Sequence, residues 1–270
     1  MKPILLFITL LILFILPNVK AQNTTSMQEE SIKALDPVAN IYKLMIQNNM
    51  NIGENAGNTL WINPAVPIDI SDDIKMINRF TIPISTRYNA KSNISETNIG
   101  NINYQAFLTN SKPIGNSLVV GIGPSANLYT SNFNETAMHG DDFWGLGLAT
   151  AVAYKKKGFY AMLNYTHTWS VAGNDIQASQ LYYILSYSFP SGFSISSQPT
   201  INYNSGIEGD TKWVVPVGLG VGQMFKLGNG RMMRLSTAGY YNAVRPESMA
   251  KSEWMFQFNV MFMLNGKKKK

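Results

Sequence analysis

The chain has 270 residues, of which 45% are hydrophobic and 14% are charged, and it contains no cysteine. The absence of cysteine excludes a disulfide scaffold, a thiolate metal site and a lipid anchor on a mature N-terminal cysteine. The net charge of +6 comes from Lys2, Lys20 and the four lysines at 267–270. The rest of the chain is neutral, which argues against a nucleic-acid partner.

The N-terminal segment is typical of a secretory leader. Lys2 precedes an apolar run at 4–16, and Val19-Lys20-Ala21 supplies a small residue for cleavage. The run is shorter than the ~20 residues that a membrane-spanning helix needs. We therefore interpret 1–21 as a signal peptide and the polar stretch 22–35 as a periplasmic lead-in.

From residue 36 onward, apolar and polar residues alternate. The clearest case is 254–264, where Trp254, Phe256 and Phe258 share one face and Gln257 and Asn259 share the other. This alternation is not helical, and it lasts longer than the usual strand of ~5 residues in a soluble domain. A strand of ~9–11 residues with one apolar face is typical of an outer-membrane barrel.

The pattern predicts an all-β protein: a single transmembrane antiparallel up-and-down β-barrel of about 12 strands over 36–264, followed by a basic tail at 265–270. Connections alternate between short turns and longer loops, which a soluble β-sandwich, the alternative, does not require. An even strand number places both termini on the periplasmic side. The predicted strands are 41–48, 58–67, 74–84, 97–108, 117–127, 143–155, 158–169, 178–189, 193–203, 212–225, 232–244 and 253–264.

The alternation also assigns side chains to the two faces of the barrel. Predicted lipid-facing residues are Phe80, Ile82, Ile102, Tyr104, Trp213, Phe256 and Phe258. Predicted lumen-facing candidates for contact with a solute are Asn63, Arg79, Asn103, Gln105, Asn164, Arg234, Asn242, Gln257 and Asn259, together with Thr166. Inward-facing Pro216, Gly218, Gly220 and Gly222 are expected to leave space in the lumen. Trp61, Trp144, Trp169, Trp213 and Trp254 lie near strand ends, which suits interfacial girdles.

The size of the barrel limits what it can pass. Eight strands are just filled by side chains and 16–18 strands leave a water channel, so about 12 strands predict a narrow lumen for a small molecule. Arg79 and Arg234 inside the wall need water or a partner. They either bias a pore towards anions or polar aromatic compounds, or form structural pairs across the lumen.

Several motifs occur in a fairly specific order. They include Asp36-Pro37-Val38-Ala39-Asn40, LWINPAVP at 60–67, NRFTIPI at 78–84, WSVAG at 169–173, QPTINYN at 198–204 and GYYNAVRPE at 239–247. The series resembles the outer-membrane β-barrel transporter family related to the MetA pathway of phenol degradation, which is often mislabelled neuromedin U. The resemblance implies a barrel that admits small compounds, including aromatic or hydrophobic ones, and it carries over no catalytic residues. The chain departs from such barrels by continuing to Lys270, so Phe262 and Leu264 are expected to act as an internal assembly signal.

The sequence offers little support for catalysis or metal binding. His139 and His167 are the conventional bases, and Ser170 lies on the opposite face of its strand from His167. Acidic residues at 138–142 and 208–210 are better interpreted as solvated loop charge than as a cation site. We therefore expect no catalytic, cofactor-binding or metal-binding residues, and no cofactor.

The resulting hypothesis is a passive outer-membrane channel or transporter for small solutes. Its expected partners are outer-membrane lipid, the barrel assembly machinery during insertion, and a small-molecule solute, with no nucleic acid. The alternative is a non-conducting barrel with a structural or surface-interaction role. A membrane-embedded hydrolase that uses His167 ranks third.

Overall fold

The structure, a computed structural model, describes residues 24–52, 57–89, 94–131, 143–207, 209–228, 230–247 and 253–264. It contains one helix, α1 (Thr24–Leu35), within this part of the chain. None of the helical residues described forms a segment long and apolar enough to cross a membrane. The signal peptide predicted at 1–21 and the tail at 265–270 lie outside the described residues.

The strands are β1 (Tyr42–Ile52), β2 (Asn58–Asp69), β3 (Ile74–Asn89), β4 (Ile94–Ile99), β5 (Ile102–Asn110), β6 (Leu118–Leu128), β7 (Phe143–Lys156), β8 (Phe159–Gly173), β9 (Gln177–Ser188), β10 (Phe193–Ser197), β11 (Thr200–Asn204), β12 (Trp213–Lys226), β13 (Met232–Val244) and β14 (Trp254–Leu264).

These strands form one antiparallel sheet that closes on itself. β4 and β5 both pair with β3, and β10 and β11 both lie between β9 and β12. Each of these two pairs fills one position, so the 14-stranded sheet is a barrel of 12 positions. β1 pairs with β14 from Tyr42↔Leu264 to Ile52↔Trp254, and β12 pairs with β13, which completes the ring. The predicted all-β, 12-stranded antiparallel barrel is confirmed.

The two ends of the barrel differ in their connections. One end, here called the turn end, carries both ends of the barrel chain and the short connections, such as the two-residue turn Lys157-Gly158. Both turn residues have positive φ, 45° and 86°, as a tight hairpin requires. At the opposite end, here called the loop end, part of the predicted loops is strand instead, because β3 continues to Asn89 and β8 to Gly173.

The outer surface of the barrel is apolar. Phe256, Leu219, Leu163 and Ile122 are among the many large hydrophobic residues that are exposed on it. Trp144, Trp169, Trp213 and Trp254 are 45–49% exposed and all lie at the loop end, as an interfacial girdle does. The prediction for Trp61 was wrong, because this side chain lines the lumen. It shares the inward face of β2 with Asn63, and the alternation of the strand decides its direction.

The closing seam between β1 and β14 gives a test of the internal assembly signal. Phe262 pairs with Leu44 and Leu264 pairs with Tyr42, so both residues end the last strand at the turn end. Replacing Phe262 and Leu264 with Asp places charges on the outer face of this seam, which is unfavourable in lipid. We expect a several-fold loss of the heat-modifiable folded band in outer-membrane fractions. Phe262→Tyr with Leu264→Val is the control, and wild-type levels of the Asp variant would count against the signal.

Candidate functional site

A helix fills the lumen at the turn end. Ile32 and Leu35 of α1, with Val38 after it, belong to one buried cluster with inward-facing residues of the wall. Ala34 belongs to a second cluster, which includes Met224, Met261 and Met263. The wall residues of the first cluster are Ile77, Phe107, Val119, Ala149, Ala151, Ala153, Tyr160, Met162 and Ile184. Because the two clusters together draw on strands around most of the ring, the segment 24–38, here called the plug, closes this end.

Polar contacts hold the plug in register with the wall. Ser31 and Ser188 are both 0% exposed, and their Oγ atoms lie 3.0 Å apart. Gln28 Nε2 donates to the carbonyl oxygen of Ser188 at 2.6 Å. At the other end of the helix, Lys43 Nζ donates to the carbonyls of Ala34 and Asp36. A cation at the C-terminus of a helix stabilises its free carbonyls and its dipole.

Between the plug and the loop end lies a polar cavity of about 300 Å³, here called the outer cavity. Its lining runs from loop-end residues such as Phe143 and Asn204 down to Met45 and Arg79. The polar part of the lining consists of amides and hydroxyls with Arg79 as its one charged member among the described residues. These polar residues are Gln47, Asn63, Thr81, Asn101, Asn103, Gln105, Asn127, Asn164, Thr166, Thr168, Gln180, Tyr182, Gln198, Thr200 and Asn204.

A second cavity of about 50 Å³, here called the inner cavity, lies between the plug and the wall. It is lined by the plug residues Ala34, Leu35 and Pro37, and by Lys43, Arg79 and Arg234 among others. Five residues line both cavities, so the two are neighbours along the lumen. These shared residues are Met45, Asn63, Arg79, Tyr182 and Gln198.

Side chains hydrogen-bond to one another inside the lumen. Gln105 Nε2 on β5 donates to Thr166 Oγ1 on β8 at 3.1 Å, although two strands separate them in the sheet. Tyr182 Oη donates to Gln198 Oε1 on the neighbouring segment at 3.5 Å. A molecule inside the lumen would therefore lie between hydrogen-bonding side chains.

The structure places all nine predicted lumen residues on the inner face, but at different depths. Five line the outer cavity: Asn63, Arg79, Asn103, Gln105 and Asn164. Arg234 and Asn259 line the inner cavity. Asn242 and Gln257 are buried and line neither of these two cavities. Gln257 Nε2 instead donates to Asn49 Oδ1 at 3.0 Å, within a wall network that also contains Asn259.

The glycines of β12 have a different role from the predicted one. A Cβ at Gly218 would overlap Tyr240, and a Cβ at Gly222 would overlap the guanidinium of Arg234. These two side chains of β13 cross over β12 and reach β10 and the residue after it. Tyr240 Oη accepts from the backbone N–H of Gln198 at 3.3 Å, and Arg234 Nη2 donates to Ser194 Oγ at 3.0 Å. The space expected beside the glycines is therefore filled by neighbouring side chains.

Sequence reasoning missed the plug and the residues that hold it. Lys43, Ser188, Tyr182 and Gln198 were not among the candidates, and the inward apolar positions near the turns were not explained. Ile77 and Phe107 are 0% exposed on the inner face of strands whose other inward residues are mostly polar. An apolar residue at an inward position close to a turn is the signal that something covers it.

The residues considered for catalysis and metal binding are not gathered into a site. His167 lies on the outer face, where its Nδ1 atom is 2.7 Å from Ser179 Oγ and its ring packs edge-on to Trp169. His139 and the acidic stretch 138–142 lie outside the described residues, as does Glu208. Within the described ranges, no cluster of three or more His, Asp or Glu residues could hold a metal ion.

Comparison with solved structures relates the fold to outer-membrane proteins. The crystal structure of an outer membrane channel from Pseudomonas putida F1 superimposes with a TM-score of 0.60 at 11% identity, covering 85% of this chain and 99% of that one. The transport unit of the autotransporter AIDA-I from Escherichia coli gives a TM-score of 0.53 at 10% identity, covering 92% and 100% of the two chains.

Outer membrane phospholipase A from Escherichia coli reaches a TM-score of only 0.38 at 9% identity, covering 84% of this chain and 98% of that one. At this score no residue of the phospholipase can be matched to a residue of this chain. No protein-family model matches the chain. No curated protein matches it either. At these identities the comparisons show the fold alone, and that fold is a β-barrel like those of outer-membrane proteins.

Proposed function

We propose that the chain is a passive channel of the bacterial outer membrane for small solutes, exported by the leader at 1–21 and closed at rest by the plug. The observation that carries the proposal is the polar outer cavity, which extends from the loop end and stops at the plug. A barrel that served only as a membrane anchor would have no need for a lumen cavity lined by amides and hydroxyls.

The contrast between the two faces supports this function. The outer face is apolar over its length, while the inner face at the cavity carries hydrogen-bonding side chains. The cavity of about 300 Å³ is at the small end of the range of ligand pockets, ~300–1,000 Å³. The structural similarity to the Pseudomonas putida channel agrees with a transport role, although it rests on the fold.

The lining also bears on the class of solute. Amides and hydroxyls favour a polar solute. An apolar solute would remove water from these lining groups without offering them a hydrogen-bond partner. Trp61, Phe143 and Tyr182 add aromatic surface to the same cavity, which suits the flat face of a sugar or an aromatic ring. We propose polar solutes first and small aromatic or hydrophobic solutes, which the family resemblance implies, second.

A non-conducting barrel is the second candidate function, and the buried hydrogen bonds of the plug favour it. A catalytic role is less well supported, and we propose that the chain is not an enzyme. His167 contacts Ser179, but among the described residues no third group orients the imidazole, as a nucleophile–base pair needs.

The test is conductance of the refolded chain in planar bilayers, compared with the double variant Gln28→Ala/Ser31→Ala. Each lost hydrogen bond weakens the plug by about 1 kcal/mol, so the open fraction should rise about 10- to 30-fold. Lys33→Ala, on the exposed side of the helix, is the control. Discrete steps that become more frequent in the double variant support the channel. A folded barrel that stays silent in both proteins would establish the non-conducting alternative.

Small neutral sugars and phenol, which is also neutral, then distinguish the two solute classes in the same recordings. Block of the open steps by sugars supports a polar solute, whereas block by phenol alone supports the aromatic one.

A further inference from the structure

Three cationic side chains from three different strands surround the inner cavity. Lys43 of β1, Arg79 of β3 and Arg234 of β13 all line it, and none of the described residues in its lining is acidic. Positive charges that share a small enclosed space repel one another, and they do so more strongly in a low-dielectric interior than in water. The arrangement is therefore costly unless a negative group joins it.

The hydrogen bonds that these cations make to other described residues are all to neutral acceptors. Lys43 Nζ donates to backbone carbonyls, and Arg79 Nη1 lies 3.5 Å from Gln105 Oε1. Arg234 Nη1 and Nη2 donate to Ser236 Oγ at 2.9 Å and Ser194 Oγ at 3.0 Å. Among the described residues, no carboxylate oxygen lies within 4.0 Å of any of the three.

Asp36 is the buried carboxylate whose field reaches Lys43 and Arg79. Its Oδ1 atom already accepts from the backbone N–H of Val38 at 3.1 Å, and Asp36 does not line the cavity. One carboxylate facing three cations leaves a positive excess around the inner cavity.

Two donors at the cavity are left without a partner. Arg234 is 2% exposed and its Nε atom is unbonded, while Asn63 is 9% exposed and its Nδ2 atom is unbonded, among the described residues. A buried donor without an acceptor destabilises the folded protein, because it has lost its hydrogen bonds to water without replacing them. Both residues line the inner cavity, and an anion there would accept from both.

The inner cavity borders the outer one. Arg79 and Asn63 belong to both linings, so a molecule that contacts these two side chains would lie at the boundary between the two cavities. About 50 Å³ is enough for a carboxylate group but not for a ring, while the 300 Å³ beyond it is polar and carries no further charge among the described lining residues.

We propose that the inner cavity binds the carboxylate of the solute and that the outer cavity holds its hydroxylated body. The solute class is then a small polyhydroxylated carboxylic acid of the sugar-acid type. The inference rests on the proposed function, since it names the solute of the same lumen. It also explains why the cations are arranged around the end of the path, where the plug stops further movement.

The experiment is isothermal titration calorimetry on the folded full-length chain in detergent with gluconate, glucose and glucosamine. These probes each have a hydroxylated six-carbon body, an open chain in gluconate and a ring in the other two, and they differ in charge. We expect gluconate to bind at least about tenfold more tightly than glucose, because a charge-assisted hydrogen bond contributes ~1.5–3 kcal/mol. Glucosamine, which carries a positive charge, should bind most weakly.

Variants identify the site. Arg79→Gln should remove most of the preference for gluconate, and Arg234→Gln should do the same where the protein still shows heat-modifiable folding. Lys226→Gln removes one exposed lysine at the turn end and should leave binding unchanged. If Arg234→Gln does not fold, Arg79→Gln alone tests whether the inner cavity binds the carboxylate. Arg79 is only partly buried, so its replacement should leave the protein folded.

Equal affinity for gluconate and glucose, no binding of either, or full gluconate preference in Arg79→Gln would each overturn the proposal. Titration with sodium chloride distinguishes an inorganic anion, and chloride binding without gluconate binding would also overturn it. Equilibrium binding does not require an open pore, so failure here leaves the channel function standing. A silent barrel that binds gluconate would instead refute the channel alone.

Discussion

Joining Ser31→Cys to Ser188→Cys by oxidation should abolish the openings of the channel, and reduction should restore them. The two Oγ atoms are 3.0 Å apart and fully buried, so the two sulfurs need to approach by only about 1 Å to form a bond of ~2.05 Å. The native chain has no cysteine, so the new pair has no competing thiol. Because Ser31 lies on α1 and Ser188 ends β9, the bond would fix the plug to the wall.

The expected effect is large because the cross-linked plug could leave the lumen only if the covalent disulfide bond were broken. In the wild type, release of the plug breaks only hydrogen bonds and the apolar contacts of α1, none of which is covalent. The measurement is single-channel recording before and after addition of reductant, with a mobility shift to confirm the link. Each single-cysteine variant under the same oxidant is the control. Unchanged openings in fully cross-linked protein would show that ions do not need the plug to move.

Changing Gly123 to Ala should destabilise the barrel severely, whereas changing Gly239 to Ala should not. A Cβ at Gly123 would overlap the backbone carbonyl of Ala106 on the neighbouring strand. The pairing of β5 with β6 is interrupted here, between Gln105↔Ser125 and Leu108↔Ile122, beside Pro124. Proline has no N–H to donate, so the strands adjust at this point and the carbonyl comes close to Gly123.

Gly239 is the matched control, because it also lies inside a strand but a Cβ there would meet Phe256 at an ordinary 3.6 Å. A clash with the backbone cannot be relieved by rotation of a side chain. We therefore expect Gly123→Ala to lower the free energy of unfolding by about 3 kcal/mol. Gly239→Ala should stay within about 1 kcal/mol of the wild type or gain slightly. The readout is the urea midpoint of the folded protein in lipid vesicles, followed by tryptophan fluorescence. Similar midpoints for the two variants would contradict the close packing at Gly123.

The barrel could be predicted from the sequence because alternation is a local property. In β13 and β14, for example, the direction of each side chain follows from its place in the strand, so Arg234 and Asn259 were correctly assigned to the inner face. Trp61 shows where two local rules conflict. Its position near a strand end suggested the girdle, but the alternation with Asn63 placed it inside.

The rest depends on contacts between distant parts of the chain. The plug helix is short and its segment looks like an ordinary polar stretch, so nothing local places Ser31 next to Ser188. The crossing of Tyr240 and Arg234 over β12 requires the register between β12 and β13, which places Tyr240 opposite Gly218 and Ser236 opposite Gly222. The meeting of Lys43, Arg79 and Arg234 at one cavity requires the closed ring, because these residues lie on strands that are far apart in sequence.

The filled glycine face of β12 makes the lumen eccentric. Side chains from β13 cover this part of the wall, and the described residues that line the outer cavity come from the rest of the barrel, β1 to β11 and the segments between them. If the chain is the channel proposed above, its circumference is therefore divided into a permeation arc, β1 to β11, and a structural arc, β12 to β14. Apart from Arg234, Asn259 and Met261, which line the inner cavity, inward substitutions on β12 to β14 should mainly change the stability of the barrel, whereas those on β1 to β11 should change which solutes it admits. Inward residues on the permeation arc could then be changed to alter the selectivity of the proposed pore without weakening the packing of the structural arc.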